Sequence, residues 1–462
     1  MLGFLVGAAA GPAAEHFRST GFPLPLSVHP ATRFAIARQG EEALALIGEA
    51  VHPDRSDLDL QGVADHLAKH RATRQPEIDK LVGRFVVIHG RGSDFRIQTD
   101  AIGLRSVFYA ATDRGVVAGS HAELVARAAT GTAVRRRRPL RWGHPGIDTP
   151  FESVFRLPPN CELAIADGKL HRFFPAARVP ETGIEDAWAL AFDRAATTIR
   201  ALAARHNLVL SLTAGLDSRT TLAASRGLWR KLKFFTYVGR PEDHLEARVA
   251  SDVAKRLRLD HFLVDYSDRF VVNGTVRAAI SCNAIIQHKP KVACAYHHQL
   301  GQHRYLHIRS NLLELTRSNL FEHLHKRHGL EGPASAETMT AVYKHAARID
   351  PTRLKHVRPA FDHYVAVSDF ESTIGRASPW DLYFVEHRMG AWQSGVVTES
   401  DVSFDTVIAF NSREIVRAFM GVPDEVRCTS GHLRELLNGL LPELSDIPIN
   451  PRRYPPRAPA RK

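Results

Sequence analysis

Between residues 81 and 118 the apolar positions fall in short runs: Leu81-Val-Gly-Arg-Phe-Val-Val-Ile-His89, Phe95-Arg-Ile-Gln-Thr99, Ser106-Val-Phe-Tyr-Ala110 and Gly115-Val-Val-Ala118. Such β-branched and aromatic runs, broken by Gly, Asp and Arg turns, predict strands of an antiparallel sheet. The apolar opening from Met1 to Gly11 predicts a buried first strand, since it lacks a cationic flank and is too short to span a membrane. Residues 40–49 and 121–129 predict helices among these strands, so the first 180 residues read as a layered α+β domain. From Asp186 the period changes, and Trp188, Phe192, Ala195, Ile199 and Leu202 line one face of a helix. A buried strand over 208–212, a tight loop over 213–218 and the start of a helix over 219–225 follow. Next come a strand over 233–238, a helix over 245–257 and a strand over 261–265. Strands alternating with helices in this way predict a parallel, doubly wound α/β sheet. Beyond residue 275 the pattern is mainly helical, with one strand at Arg304-Tyr-Leu-His-Ile308. The Pro- and Arg-rich stretch from Ile447 predicts an extended tail.

Composition narrows the class. The 462 residues are 44% hydrophobic and 24% charged, which excludes fibrous and wholly disordered chains. Sixty-one basic residues against 49 acidic ones give a net charge of +12, favouring anionic ligands such as nucleotides or pyrophosphate. The four cysteines, Cys161, Cys282, Cys294 and Cys428, form neither a CxxC pair nor a zinc spacing with histidine. A reducing cytoplasm fits that usage. Arg135-Arg-Arg-Arg-Pro139 reads as a solvated loop, with an anion-binding patch as the alternative. His288, His297, His298, His303 and His307 lack a third ligand at metal spacing and read as surface or core histidines. The 384–389 stretch with Trp392 reads as helical core.

The chemistry concentrates in Leu208-Val-Leu-Ser-Leu-Thr-Ala-Gly-Leu-Asp-Ser-Arg219. Small residues at Thr213, Ala214 and Gly215 let the backbone turn closely, so that amide groups at a helix start can face phosphate oxygens. Thr213 and Ser218 add hydroxyls, and Asp217 adds a carboxylate suited to Mg²⁺. No Gly-Lys-Ser/Thr follows, so this is not a Walker A loop.

At these residues the sequence resembles the asparagine synthetase branch of the pyrophosphatase-loop (PP-loop) family, whose signature is Ser-Gly-Gly-x-Asp-Ser. The counterpart here is Thr213-Ala-Gly-Leu-Asp-Ser218. Phe235-Thr-Tyr-Val-Gly239, the helix from Glu246 to Leu257 and His261 are similar to that branch's next strand, helix and strand. Leu81-Val-Gly-Arg-Phe85, Thr99-Asp-Ala-Ile-Gly-Leu-Arg105 with Tyr109, and Phe151-Glu-Ser-Val-Phe-Arg-Leu-Pro-Pro159 resemble its N-terminal amidotransferase domain. Phe410-Asn-Ser-Arg413 and Leu441-Pro-Glu-Leu444 resemble its closing helical region.

The resemblance implies an Ntn-like layered domain over 1–180 and an adenine-nucleotide-binding PP-loop domain over 181–450 with a helical C-terminal part, followed by a tail over 451–462. It implies an ATP- and Mg²⁺-dependent ligase that adenylates a small-molecule carboxylate, releases pyrophosphate, and forms an amide with ammonia or an amine, asparagine being the family default. Asp217 and Ser218 would be catalytic. Ser211, Thr213, Ala214, Gly215, Leu216, Asp217, Ser218, Thr236, Tyr237 and Val238 would bind the nucleotide, and Asp217 and Glu314 the metal. Neither a membrane nor a nucleic acid is an expected partner, and a homodimer is left open.

Three departures qualify this. Position 2 is Leu2 where glutamine-dependent members expose a cysteine, so glutaminase activity is expected to be absent, as in the β-lactam-forming relatives. The second family motif, Ser-Gly-Glu-Gly-x-Asp-Glu, meets Arg309-Ser-Asn-Leu-Leu-Glu314, which puts Asn311 in place of Glu and Glu314 in place of Asp. Pairing of Glu314 with Arg317 on one helix face is an equal alternative to metal binding. The family's C-terminal lysine has no counterpart between Leu433 and Arg461, so either the chemistry differs or Lys289 and Lys291 serve. An adenylating enzyme acting on a nucleotide or tRNA, and a degenerate synthetase that binds nucleotide without catalysis, therefore stay open.

Overall fold

The computed structural model describes residues 2–7, 16–135, 142–267, 271–286, 288–317, 332–347 and 355–452. Its first half carries β1 (Phe4–Gly7), β2 (Arg18–Ser19), β3 (Leu26–Val28), β4 (Phe34–Gln39), β5 (Glu42–Val51), β6 (Val82–Arg91), β7 (Asp94–Thr99), β8 (Phe108–Thr112), β9 (Gly115–Gly119), β10 (Phe155–Arg156), β11 (Cys161–Ala164) and β12 (Leu170–Arg172). These form two six-stranded antiparallel sheets of order β10-β8-β9-β1-β3-β2 and β12-β11-β7-β6-β5-β4.

Alternation of side chains along each strand decides how the sheets stack. Ala43, Ala45 and Ile47 of β5 meet Phe4, Val6 and Ala118 in a core shared by both sheets. Leu44 and Leu46 point the other way, onto Val63, Ala64 and Leu67 of α1 (Leu60–Lys69), which is followed by α2 (Arg74–Lys80). On the far side Leu5, Phe108 and Val117 pack on Ala122 and Val125 of α3 (Ala122–Thr130). The result is a four-layer helix–sheet–sheet–helix stack.

The helix expected over 40–49 is corrected to strand β5. Its Ala- and Leu-rich stretch has good helix propensity, but every residue from Ala43 to Val51 is buried between β4 and β6, and sheet packing overrides propensity. Residues 136–139 of the arginine run and 453–462 of the tail lie outside the described residues.

The second half begins with α4 (Ile184–Ala203) and continues through β13 (Leu208–Ser211), α5 (Leu216–Ala224), β14 (Lys233–Val238), α6 (Pro241–Leu257), β15 (Asp260–Asp265), α7 (Gly274–Asn283), α8 (Pro290–Leu300), β16 (Leu306–Ile308) and, after a helical stretch, β17 (Asp405–Val407). These five strands form one sheet, all parallel, in the order β15-β14-β13-β16-β17. Leu208 and Leu210 face a core with α4, α5 and α6, while Val209 faces Tyr296 and Leu300 of α8. Both faces are therefore covered, as a parallel sheet requires. Because the chain winds outward from β13 to β15 and then restarts at β16 on the other side, the switch point lies between β13 and β16. Ligands of such sheets bind at the carboxyl ends of those strands.

Buried ion pairs join the two halves. Arg84 of β6 donates from Nη1 and Nη2 to Asp401 at 2.5 and 2.8 Å and from Nη1 to Asp405 at 2.7 Å, and Arg105 also pairs with Asp405. Arg413 and Arg417 donate to Asp79 of α2 at 3.2 and 2.6 Å. Glu386 accepts from Asn160, Arg172 and Tyr364. Asp100 accepts from the backbone of Phe85, Ile102, Leu104 and Arg105 and from Asn411.

Candidate functional site

Where β13 ends, Leu212, Thr213, Ala214 and Gly215 carry the chain into α5. Ser218 closes this loop: its hydroxyl lies 3.2 Å from the Thr213 N–H that donates to it, and 3.0 and 3.1 Å from the carbonyls of Thr213 and Gly215. The Gly215 N–H donates to Thr213 Oγ1 at 3.1 Å. A Cβ on Gly215 would sit 3.3 Å from Thr213 Oγ1 and 3.4 Å from Asn450 Oδ1, so the turn tolerates little bulk. The first turn of α5, whose N–H groups have no intrahelical acceptor, opens on a cavity of about 260 Å³.

That cavity lies at the switch point. Ser211, Thr213, Gly215, Leu216, Asp217, Ser218 and Tyr237 line it on one side, and Arg309, Ser310, Asn311 and Arg317 from beyond β16 on the other. Seven of the ten expected nucleotide-binding residues thus meet there. Of the other three, Ala214 turns its carbonyl to the Asn450 N–H. Thr236 donates to the Leu212 carbonyl at 2.6 Å and bonds His261 at 2.9 Å, and Val238 is buried at its strand end. A larger cavity of about 570 Å³, bordered by Arg178, Arg376 and Asp424, holds none of them.

Asp217 is paired with Arg317 at 2.5 Å. Burial, and then the neighbouring charge of Glu314, push its carboxyl up to about 7 against the pull of that guanidinium. Glu314 Oε2 is buried without a hydrogen-bond partner. Of the two alternatives for Glu314, pairing with Arg317 is not seen: Arg317 pairs with Asp217 instead. Leu312, between Asn311 and Glu314, is buried at φ 82°, a left-handed backbone that a bulky residue holds only under strain.

No family model matches the chain, and no curated protein matches it. Among solved structures, glutamine phosphoribosylpyrophosphate amidotransferase from B. subtilis complexed with ADP and GMP matches at 11% identity, covering 60% of this chain and 70% of that one, with a TM-score of 0.25. The allosteric regulatory enzyme of purine biosynthesis matches at 13% identity over 74% of this chain and 85% of that one, also at 0.25. Likeness that slight carries no argument for fold or activity. Among the described residues no helix is long and apolar enough to cross a membrane.

Several contacts around the site carried no local signal. Arg219 in α5 donates to the carbonyls of Ile447 and Pro448 at 2.9 and 2.8 Å, strapping residues 447–450 across the loop. Lys289 Nζ lies 2.9 Å from the Tyr237 hydroxyl, and the backbone N–H groups of His288 and Lys289 donate to Glu399, whose carboxyl burial pushes up to about 7. Arg388, in a π-helical turn over Phe384–Gln393, sits between Trp142 and Trp392 with ring centroids 3.8 and 3.4 Å away. The stretch expected as core is buried, but it also delivers this cation, which lies within the field of Glu314.

Proposed function

We propose that the chain is an AMP-forming, ATP-dependent ligase of asparagine synthetase type, with an Ntn-like domain over 1–180 ahead of a PP-loop domain over 181–450. It joins a small-molecule carboxylate to ammonia or an amine. The observation that carries this reading is the convergence, at the switch point of a doubly wound sheet, of the 213–218 loop with the segment from Arg309 to Arg317.

In this reading the first turn of α5 and Thr213 bind phosphate oxygens, and Thr236, Tyr237 and Val238 border adenine. Arg309, Arg317 and Lys289 supply positive field against pyrophosphate. The pair Asp217 and Glu314 fits Mg²⁺: one buried carboxylate oxygen has no partner, and the repulsion between the two groups is what a divalent cation relieves. Bound there, the ion would neutralise charge on the leaving pyrophosphate. The substrate carboxylate oxygen attacks the α-phosphorus and pyrophosphate leaves. The amine nitrogen then bonds to the acyl carbon, AMP departs with the C–O electron pair, and the amine loses a proton. Lys289, bonded to the Tyr237 hydroxyl at the cavity wall, is the lysine this reading assigns to that step. The strained Leu312, which stands where the family motif has glycine, supports a loop held for function.

Cys161 supplies no glutaminase nucleophile. Its thiol is buried in the inter-sheet core, and burial pushes it up to about 12. In this reading ammonia or an amine is the nitrogen source.

The Asp217–Arg317 pair favours a second reading, a nucleotide-binding protein without turnover, because the metal carboxylate already has a cation. Pyrophosphate and AMP release, followed on wild type and Asp217→Asn with Mg²⁺, a panel of carboxylic acids and either ammonia or glutamine, separates the two. Release with ammonia that vanishes in the variant supports the ligase. ADP formation refutes it, and ATP binding without turnover leaves the second reading.

A further inference from the structure

Away from the cavity, three side chains from three elements converge in the first half of the chain. His52 follows β5, His66 lies on α1 and Glu77 on α2. Both imidazoles turn Nε2 to the same carboxylate oxygen, Glu77 Oε2, at 2.8 Å from His52 and 2.9 Å from His66. All three ligand-type atoms lie within 4.8 Å of one another. We propose that His52, His66 and Glu77 form a binding site for a divalent transition-metal ion of the zinc type.

The donor chemistry selects that class. Two neutral imidazoles and one carboxylate suit Zn²⁺ and its neighbours, not Mg²⁺ or Ca²⁺, which take oxygen ligands. Ligand distances of about 2.0–2.1 Å around a tetrahedral ion put neighbouring donor atoms about 3.3 Å apart, so each imidazole needs to draw back from Glu77 Oε2 by only a few tenths of an ångström, while the two imidazoles already lie within 4.8 Å of each other. Each imidazole receives the ion on Nε2 with its other nitrogen, Nδ1, turned away from it; in His52 that Nδ1 is buried without a hydrogen-bond partner.

The carboxylate is also oriented as a single-oxygen ligand. Lys80 Nζ binds the other oxygen, Glu77 Oε1, at 3.0 Å, and Lys80 is itself paired with Asp54 at 3.3 Å. Such outer contacts fix ligands in metal sites. The His52 side chain is buried, while His66 and Glu77 are 12% and 17% exposed. The ion therefore enters from the His66 and Glu77 side, and water takes the fourth position. Sequence spacing gave no hint because the ligands are spread over positions 52, 66 and 77, on elements that only the fold brings together.

The placement gives the site a role. Helix α2 carries Glu77 and, two residues on, Asp79, which receives Arg413 and Arg417 from the second half. Asp54, two residues after His52, receives Arg194 of α4 at 2.6 Å. An ion on the triad braces the two segments against which the second half docks.

The test uses the full chain, Zn²⁺ buffered by a competing chelator, and Co²⁺ as a spectroscopic probe. Wild type is expected to bind one Zn²⁺ more tightly than its other histidines do, to gain thermal stability from it, and to show the visible absorption of four-coordinate Co²⁺. His66→Ala and Glu77→Gln should each weaken that one equivalent by more than about 100-fold, the upper range for losing an outer contact alone. The Co²⁺ band should vanish while circular dichroism stays native. Glu77→Gln is nearly isosteric, so it keeps the test valid if His66→Ala unfolds. No tight equivalent in wild type, or equal binding in wild type and both variants, overturns the proposal.

Discussion

Replacing Arg84 by methionine tests how the two halves are held together. Arg84 gives three hydrogen bonds to Asp401 and Asp405, and a fourth from Nε to the Leu104 carbonyl at 3.1 Å. The Arg84 and Asp401 side chains are 3% and 1% exposed, so solvent cannot stand in for the lost guanidinium. Asp405 keeps Arg105, but Asp401 loses both of its oxygen partners. Methionine fills the space of the arginine stem, and the main cost is a carboxylate left buried without its cation, about 3–5 kcal/mol. Burial already pushes the Asp401 carboxyl up, with Arg84 opposing it, so the variant raises it further. A group raised in the folded state costs stability as pH climbs from its unfolded value, about 3.9, through its folded one. The loss should therefore be smaller at pH 5 than at pH 8. Arg84→Met/Asp401→Leu, which removes both charges, should recover most of it. Urea unfolding followed by tryptophan fluorescence and by circular dichroism measures each variant. A loss below about 1 kcal/mol in the single variant, or no recovery in the double one, would refute this account of the interface.

Asp217, held up to about 7 by burial and Glu314, should make stability fall as pH rises from about 4 to 7, and Asp217→Asn should flatten that stretch of a pH–stability profile. Iodoacetamide on the folded chain should label the exposed Cys282 and Cys428 and spare the buried Cys161 and Cys294 until denaturant is added, as read by peptide mass spectrometry. Arg219→Ala should release the 447–450 strap and weaken ATP binding several-fold with little change in circular dichroism, whereas unchanged binding would show that the strap is not part of the site.

What the sequence disclosed follows how local its causes are. The 208–265 unit was legible because strand and helix periods alternate cleanly there, and β14 spans the expected 233–238. Residues 40–49 misled because nothing within the segment shows that β4 and β6 will enclose it. The loop from Thr213 to Ser218 could be recognised by its small residues, but not the partner that Asp217 takes, since Arg317 is brought near only by the β13–β16 pairing. Arg84 and Arg105 stood out in motifs similar to an amidotransferase domain. In the structure they serve as inter-half ion pairs to residues some three hundred positions away.

The strap from Ile447 to Asn450 has a consequence for how the molecule is made. Synthesis delivers residues in order, and the 213–218 loop leaves the ribosome long before the segment that Arg219 clamps and whose Asn450 N–H caps Ala214. The parallel sheet can assemble as soon as β17 is made, but the mouth of its cavity is finished only by those last contacts. A nascent chain halted before residue 447 would hold the sheet without a completed pocket, so the mouth of the cavity depends on residues made more than two hundred positions after the loop they cover.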